Sequence, residues 1–102
     1  MLEMRDTCER CEAALAVDSA DARICSFECT FCAACVKDVL LDVCPNCGGG
    51  FEPRPIRPSH NWRVDNDVAH HPASTTVRHR PVDRDRHREF AAQIAPLAPR
   101  DR

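Results

Sequence analysis

The spacing of the cysteine residues constrains this chain more than any other feature of its sequence. Eight of the 102 residues are Cys, and all eight lie between Cys8 and Cys47. Three of the four successive pairs have two intervening residues, a spacing whose tight turn lets two thiolates hold one tetrahedral ion. The remaining pair, Cys25 and Cys29, has three intervening residues. The pattern therefore predicts a fold that is organised around metal ions.

A chain of this composition needs such cross-links. Leu, Ile, Val and Phe together account for 20 of the 102 residues, which is close to the level at which a chain struggles to bury a core. Metal ions or disulfides must then supply the stability that a small core lacks. The N-terminal residues lack the hydrophobic stretch of a signal peptide, and no apolar run approaches transmembrane length. We therefore expect a cytoplasmic protein with reduced thiols, which favours metal over disulfides.

Helix geometry indicates which cysteine pairs share an ion. Residues 33–42 contain good helix formers and no helix breaker before Pro45. Cys35 lies near the start of this predicted helix and Cys44 follows its end, so a rise of ~1.5 Å per residue places them roughly 12 Å apart. We therefore prefer an interleaved arrangement of two zinc sites. Site one consists of Cys8, Cys11, Cys32 and Cys35, and site two of Cys25, Cys29, Cys44 and Cys47.

Other arrangements of the same thiols stay open. A nested arrangement joins the first pair to the last and would crowd four ligands into the eleven residues from Cys25 to Cys35. The close run of Cys29, Cys32 and Cys35 also leaves the assignment of Cys29 ambiguous. An iron–sulfur cluster is a further alternative, although the Cys-Pro that completes the bacterial ferredoxin motif does not follow this run.

The chain divides near residue 51. Residues 1–51 carry nine acidic and four basic side chains, a net charge of −5, whereas residues 52–102 carry seven acidic side chains and ten Arg, a net charge of +3. The second half has only eight Leu, Ile, Val or Phe and opens with three closely spaced prolines. We therefore predict a folded zinc-binding domain over residues 1–51 and a mostly disordered, flexible tail over residues 52–102.

Short secondary-structure elements complete the prediction. Residues 15–17 and 23–27 are candidate strands, with a turn at 18–21 between them. In the tail, residues 83–95 are a candidate helix, although thirteen residues is marginal for a helix in isolation. Phe90, Ile94 and Leu97 would give it a small apolar stripe for a partner. The expected fold class is thus a small α+β zinc-binding domain followed by a tail.

The cysteine pattern over residues 8–47 resembles the RING finger cross-brace. Phe31 directly before Cys32, a helix after Cys35 and the closing Cys-Pro-Asn-Cys of residues 44–47 all fit that family. The resemblance implies a RING-like domain with two structural zinc ions in the interleaved arrangement. Ubiquitin-ligase RING domains usually carry an apolar residue within the first cysteine pair, where this chain has Glu9 and Arg10. The resemblance therefore extends to the scaffold and not to the ligase surface.

A narrower resemblance covers residues 1–58. It rests on the strings Leu-Glu-Met-Arg at residues 2–5, Ala-Arg-Ile-Cys-Ser-Phe-Glu-Cys-Thr-Phe-Cys at 22–32, Cys-Pro-Asn-Cys-Gly-Gly at 44–49 and Arg-Pro-Ile-Arg-Pro at 54–58. These strings are similar to a small bacterial Cys-rich family catalogued as domain of unknown function twelve-seventy-two. The resemblance implies a bacterial protein and assigns no activity.

These features predict a structural zinc-binding protein, with two zinc ions per chain, that serves as a protein–protein interaction module. We expect it not to be an enzyme, because no Ser–His–Asp spacing or carboxylate pair is apparent and all eight Cys are assigned to metal. The expected partner surface is the acidic exterior and the groove beside the 33–42 helix. We expect no membrane partner, and the negative first half makes nucleic acid a poor partner.

Three alternative functions use the same cysteines. The first is a redox- or metal-responsive regulator that releases zinc when its thiolates are oxidised. The others are an iron–sulfur protein and a ubiquitin-ligase-like scaffold, the latter by analogy of fold alone. The five His residues are not expected to be metal ligands, since all lie in the tail: His60, His70, His71, His79 and His87.

Overall fold

A three-stranded antiparallel sheet lies at the centre of the Cys-rich half in the computed structural model, which describes residues 1–102. Strand β1 (Ala22–Ile24) lies between β2 (Thr30–Cys32) and β3 (Glu52–Pro53), giving the order β2-β1-β3. Arg23 lies opposite Phe31 on one side and Pro53 on the other. Pro53 is tolerated because β3 is an edge strand.

The predicted strand at 23–27 corresponds to β1 and the turn that follows it, whereas the strand predicted at 15–17 is wrong. Near that segment the structure has only an isolated bridge between Thr7 and Ala14. Leu15 is almost fully buried and its N–H donates to the carbonyl of Asp6 at 2.8 Å. A buried apolar residue therefore occurs there without the continuous ladder that makes a strand.

The chain passes directly from β2 into a helix. Helix α1 (Ala33–Cys35) continues as a π-helical segment over Val36–Leu40. The predicted helix over 33–42 thus begins at the expected residue and ends two residues early. Leu41 and Asp42 both have left-handed backbones (φ 56° and 58°), and their N–H groups return to the carbonyl of Val36. Such a left-handed cap satisfies the last carbonyls and stops the helix.

The core lies between the sheet and this helix. Phe31 meets Phe51 edge to face, with ring centroids 5.5 Å apart and planes at 82°, a favourable aromatic geometry. Leu40 and Leu15 are buried beside them, and Cys8 and Cys44 have no exposed surface. Cysteines therefore occupy positions that apolar side chains fill in a larger domain. The predicted small α+β fold is confirmed in these terms.

The tail that was predicted to be flexible lies instead along the Cys-rich half. The N–H of Ser74 donates to Met4 at 2.9 Å and the N–H of Arg80 donates to Glu9 at 2.6 Å, both through backbone carbonyls. Arg57 donates to the carbonyls of Leu2 and His71. Composition predicted disorder because apolar residues are few. The tail is placed mainly by polar bonds, which composition does not register.

Helix α2 (Arg84–Ile94) occupies nearly the span predicted at 83–95. Asp83 caps it by accepting hydrogen bonds from the N–H groups of Asp85 and Arg86, as aspartate commonly does at this position. The helix packs against the π-helical segment and is followed by a short 3₁₀ turn at Pro99–Asp101. Neither this helix nor α1 has the length and apolar character needed to cross a bilayer.

A buried arginine joins the first residues of the chain to β3. Arg54 is 4% exposed, and its guanidinium donates to the carbonyls of Arg5, Leu15 and Ala16. Burial lowers its pKa, and the nearby Arg57 adds to that effect. The three carbonyl partners satisfy a buried donor group that would otherwise be costly.

Candidate metal centre

Four sulfur atoms form the first cluster. All lie within 4.8 Å of one another, and the Sγ atoms of Cys11 and Cys32 are 3.8 Å apart. A tetrahedral zinc with Zn–S bonds of about 2.3 Å has sulfur–sulfur edges of about 3.8 Å. The cluster therefore has the size that a four-thiolate zinc site requires. Its members are Cys8, Cys11, Cys32 and Cys35.

Two local structures bring these sulfurs together. In the first, which we call the first knuckle (residues 8–13), the N–H of Glu12 donates to the Cys8 carbonyl and the N–H of Cys8 to the Ala13 carbonyl, each at 2.9 Å. Glu12 has a left-handed backbone, φ 62°. In the second, Cys32 ends β2 and caps α1, where its Sγ accepts from the N–H of Cys35 at 3.4 Å.

An arginine lies against this cluster. Nη1 of Arg10 is 3.5 Å from the Sγ of Cys35, and this contact raises the pKa of Arg10. Burial raises the pKa of the Cys35 thiol to about 12, so without a counter-ion this group stays protonated. A divalent cation reverses that preference by binding the thiolate. Arg10 would offset part of the negative charge that four thiolates leave on a zinc ion.

The second cluster is less closely grouped. The sulfurs of Cys25, Cys44 and Cys47 lie within 4.8 Å of one another, and Cys29 is outside that group. Burial raises the pKa of Cys29, and so does the adjacent thiol of Cys25. The amide of Asn46 donates to the Cys29 sulfur at 3.3 Å. The structure thus groups the cysteines in the interleaved order and leaves Cys29 beside, not within, the second group.

The Cys44 loop, which we call the second knuckle (residues 44–49), repeats the backbone pattern of the first. The N–H of Gly48 donates to the Cys44 carbonyl and the N–H of Cys44 to the Gly49 carbonyl, each at 2.8 Å. Gly48 has φ +77°, a conformation that glycine adopts without steric cost. Burial raises the pKa of Cys44, as it does for Cys35.

The β1–β2 hairpin explains why the pairs interleave. Cys25 and Cys29 lie in its turn, where the N–H of Cys25 donates to the Cys29 carbonyl at 3.1 Å. Cys32 lies at the opposite end of β2, where α1 begins. The hairpin therefore holds the Cys25–Cys29 pair at one end and the Cys32–Cys35 pair at the other. The two pairs cannot share one ion because they lie at opposite ends of the hairpin.

Three residues near the clusters were not predicted as part of them. Glu9 is 1% exposed, accepts a hydrogen bond from the N–H of Thr30 and pairs with Arg5 at 2.8 Å. Its position inside a cysteine pair marked it as a surface departure from RING domains, whereas it ties the first knuckle to β2. The Arg5–Glu9 spacing of four residues was no signal, because it brings side chains together on a helix and residues 5–9 are not helical. Arg10 and Asn46 donate hydrogen bonds to cysteine sulfurs. Nothing in the sequence indicated these bonds except that both residues lie next to cysteines.

None of the five His residues belongs to either sulfur group. His87 is buried and donates from Nε2 to the carbonyl of Leu40 at 2.7 Å. His70 lies between Asp67 and Asp65, with ring nitrogens 2.9 Å and 3.4 Å from their carboxylates. These contacts join tail segments to each other or to the π-helical segment.

Comparison with known proteins identifies relatives for the first part of the chain. The profile of a family described as "Protein of unknown function (DUF1272)" matches residues 1–57, a segment that contains every cysteine. An uncharacterized protein of Rhizobium meliloti is 54% identical over 59 residues, which cover 58% of this chain and 70% of that protein. No solved structure matches the chain.

Proposed function

We propose that this chain, which belongs to the family described as protein of unknown function DUF1272, is a structural zinc-binding protein that presents a surface to another protein. The observation that carries the proposal is the clustering of sulfur atoms at zinc-ligand distances, four in one group and three in the other. Thiolates select zinc or iron–sulfur clusters over the hard cations. Closed four-thiolate sites are typical of structural zinc.

The ions would supply stability that the core lacks. Zinc binding contributes on the order of 10–16 kcal/mol in zinc-finger peptides, and this becomes folding free energy when no site exists in the unfolded chain. Cys8 and Cys44 are fully buried at the centre of the domain, so their ions would lie where packing is most needed. Cys29 would complete site two by a side-chain rotation. The interleaved pairing supports a RING-like scaffold.

The interaction role is supported by what surrounds the metal sites. The Phe27 side chain, in the turn between Cys25 and Cys29, is 72% exposed, and aromatic side chains are enriched in protein–protein interfaces. One cleft beside α1 is lined by Arg10, Ala34 and Asp38 among others. In this proposal the protein is a binding module and not an enzyme.

Metal analysis tests the zinc proposal directly. Untagged protein purified under reducing conditions is analysed for metal content, and its absorbance spectrum is recorded. We expect two zinc ions per chain and no visible chromophore. Iron with a brown colour, or metal-free protein with disulfides, would overturn the proposal and indicate an electron-transfer protein or an oxidising compartment.

A second candidate function, a redox-responsive regulator, is favoured by one ligand in particular. Cys11 is exposed, and although partial burial opposes the effect, hydrogen bonds from Ala13 and the neighbouring thiols lower its pKa. Exposed thiolates of low pKa are the ones that react with oxidants. Hydrogen peroxide would take two electrons from two thiolates, leaving a disulfide, two hydroxide ions and free zinc.

A chromophoric chelator can follow this reaction. We expect zinc release on peroxide addition and zinc rebinding after reduction with dithiothreitol. Retention of both ions at peroxide concentrations that oxidise free cysteine would exclude the regulator and leave the structural role in place.

A further inference from the structure

One face of helix α2 lies in a groove of the Cys-rich half. His87 donates to the Leu40 carbonyl at 2.7 Å, and Ala91 has no exposed surface. A Cβ placed on Gly48 would lie 3.7 Å from Phe90 and 3.4 Å from Ile94. These four positions of α2 follow the i, i+3, i+4, i+7 spacing that places side chains on one helical face. The groove therefore already accepts an amphipathic helix.

The groove and the helix belong to different parts of the chain. Leu40, the Pro45–Asn46 turn and Gly48 all lie within residues 1–57, the segment that matches the family, whereas α2 lies beyond it. Leu40 ends the π-helical segment, and its carbonyl accepts from the N–H of Val43 at 3.0 Å, which leaves a second lone pair for a donor from another element. Gly48 has no side chain to fill the groove. The family segment thus offers a hydrogen-bond acceptor and, at Gly48, a surface against which apolar side chains pack.

Helix α2 fills this groove incompletely. Only His87 and Ala91 of its eleven residues are buried, and Phe90 is 40% exposed. A cleft of about 320 Å³ lies between the Pro45–Asn46 turn on one side and α2 with the preceding residues 80–83 on the other. Residues 75–83, which lead into α2, form neither helix nor strand. An eleven-residue helix with so little buried surface belongs to the least stable part of a fold.

We propose that this groove is a helix-binding site and that α2 is its intramolecular occupant, displaced by a partner protein's amphipathic helix. The partner helix would carry a hydrogen-bond donor for Leu40 followed at i+3, i+4 and i+7 by an aromatic, a small and a branched apolar residue. The inference rests on the proposed interaction function and names the surface and the class of partner.

A labelled peptide of residues 82–97, free in solution, serves as the probe for this site. Binding to the full-length, zinc-loaded protein is measured by fluorescence anisotropy. In the native chain the tethered α2 competes at an effective concentration near the millimolar range. The Ala91→Glu variant places a charged side chain at a fully buried position and should release α2. Ala92→Glu is the matched control, because Ala92 is exposed and adjacent.

We expect the peptide to bind the Ala91→Glu protein about tenfold or more tightly than the native or Ala92→Glu protein. A peptide that itself carries Ala91→Glu should bind none of them. Equal peptide binding by all three proteins, or binding by none, would overturn the inference. If Ala91→Glu prevents folding, Ile94→Ser provides the same comparison.

The zinc content of every variant is measured in parallel. Absence of peptide binding by protein that retains two zinc ions would overturn the proposal of a helix-binding groove and leave the zinc proposal intact. Specific peptide binding by protein that holds no zinc would support the groove and count against the zinc proposal.

Discussion

The two knuckles share a backbone and differ in what surrounds them. In both, the first cysteine bonds through its carbonyl to the N–H four residues on and through its N–H to the carbonyl five residues on. In both, the residue four positions on is left-handed, Glu12 in one and Gly48 in the other. The first knuckle places a cation, Arg10, on a sulfur of its cluster, whereas the second places a neutral amide, Asn46, on the Cys29 sulfur beside its cluster.

This difference shows which properties belong to the motif. The two knuckles share one loop, and that loop holds its two sulfurs close enough for one ion. Charge and access are set by residues that the motif leaves free. The first cluster gathers four sulfurs next to a guanidinium, while the second gathers three, and the knuckle that supplies two of them contacts a helix from the tail through Gly48. The predictions below test this contrast.

Removal of a buried ligand from either cluster should have the largest effect. We expect Cys8→Ser and Cys44→Ser each to lose at least one zinc ion, because both thiols are fully buried and no other donor can replace them. The loss should abolish the cooperative thermal transition, since zinc supplies on the order of 10 kcal/mol in such sites. Elemental analysis and circular dichroism melting measure the two effects. Full zinc retention by both variants would contradict the assignment.

Loss of a residue that donates to a cysteine sulfur should affect zinc binding less than loss of a cysteine does. The effect should be larger for Arg10, at the first cluster, than for Asn46, at the second. We expect Arg10→Ala to speed zinc transfer to a chelator by about 10–100-fold, the range for loss of a group that supports a metal ligand. Asn46→Ala should have a smaller effect because charge-assisted hydrogen bonds are roughly twice as strong as neutral ones. Arg63→Ala is the control, since Arg63 is exposed. Equal rates for the Arg10 and Asn46 variants would remove the contrast.

Exchange of the left-handed residues should have the smallest effect. Gly48→Ala should lower the free energy of unfolding by about 1 kcal/mol, because a Cβ disfavours this conformation. Glu12→Gly should raise the free energy of unfolding by less than that, because glycine adopts the left-handed conformation without steric cost. The contact with His79 that this variant loses is half exposed and contributes little stability. Thermal melting of zinc-loaded protein measures both shifts. If both variants changed the melting temperature in the same direction, the left-handed position would not have the same effect on stability in the two knuckles.

Much of the fold followed from the sequence, but particular elements did not. The start of α1 and nearly all of α2 were predicted because a run of helix formers is a local signal. The π-helical end of α1 was missed, since no residue pattern marks it. The strand expected at 15–17 was wrong because Leu15 is buried without a pairing neighbour. Burial and pairing depend on residues far along the chain.

The spacing of the cysteines by itself indicated a metal-binding domain and favoured the interleaved pairs, because loop spacing and helix rise are local distances. The nested pairs stayed open until the tertiary structure brought the sulfurs of the first and third pairs together. Only the tertiary structure decided where the tail lies. Its arginines donate to backbone carbonyls, as Arg57 does to Leu2 and Arg102 to Asp42. Every residue offers a carbonyl, so such bonds leave no trace in the sequence and appear only when the two segments meet.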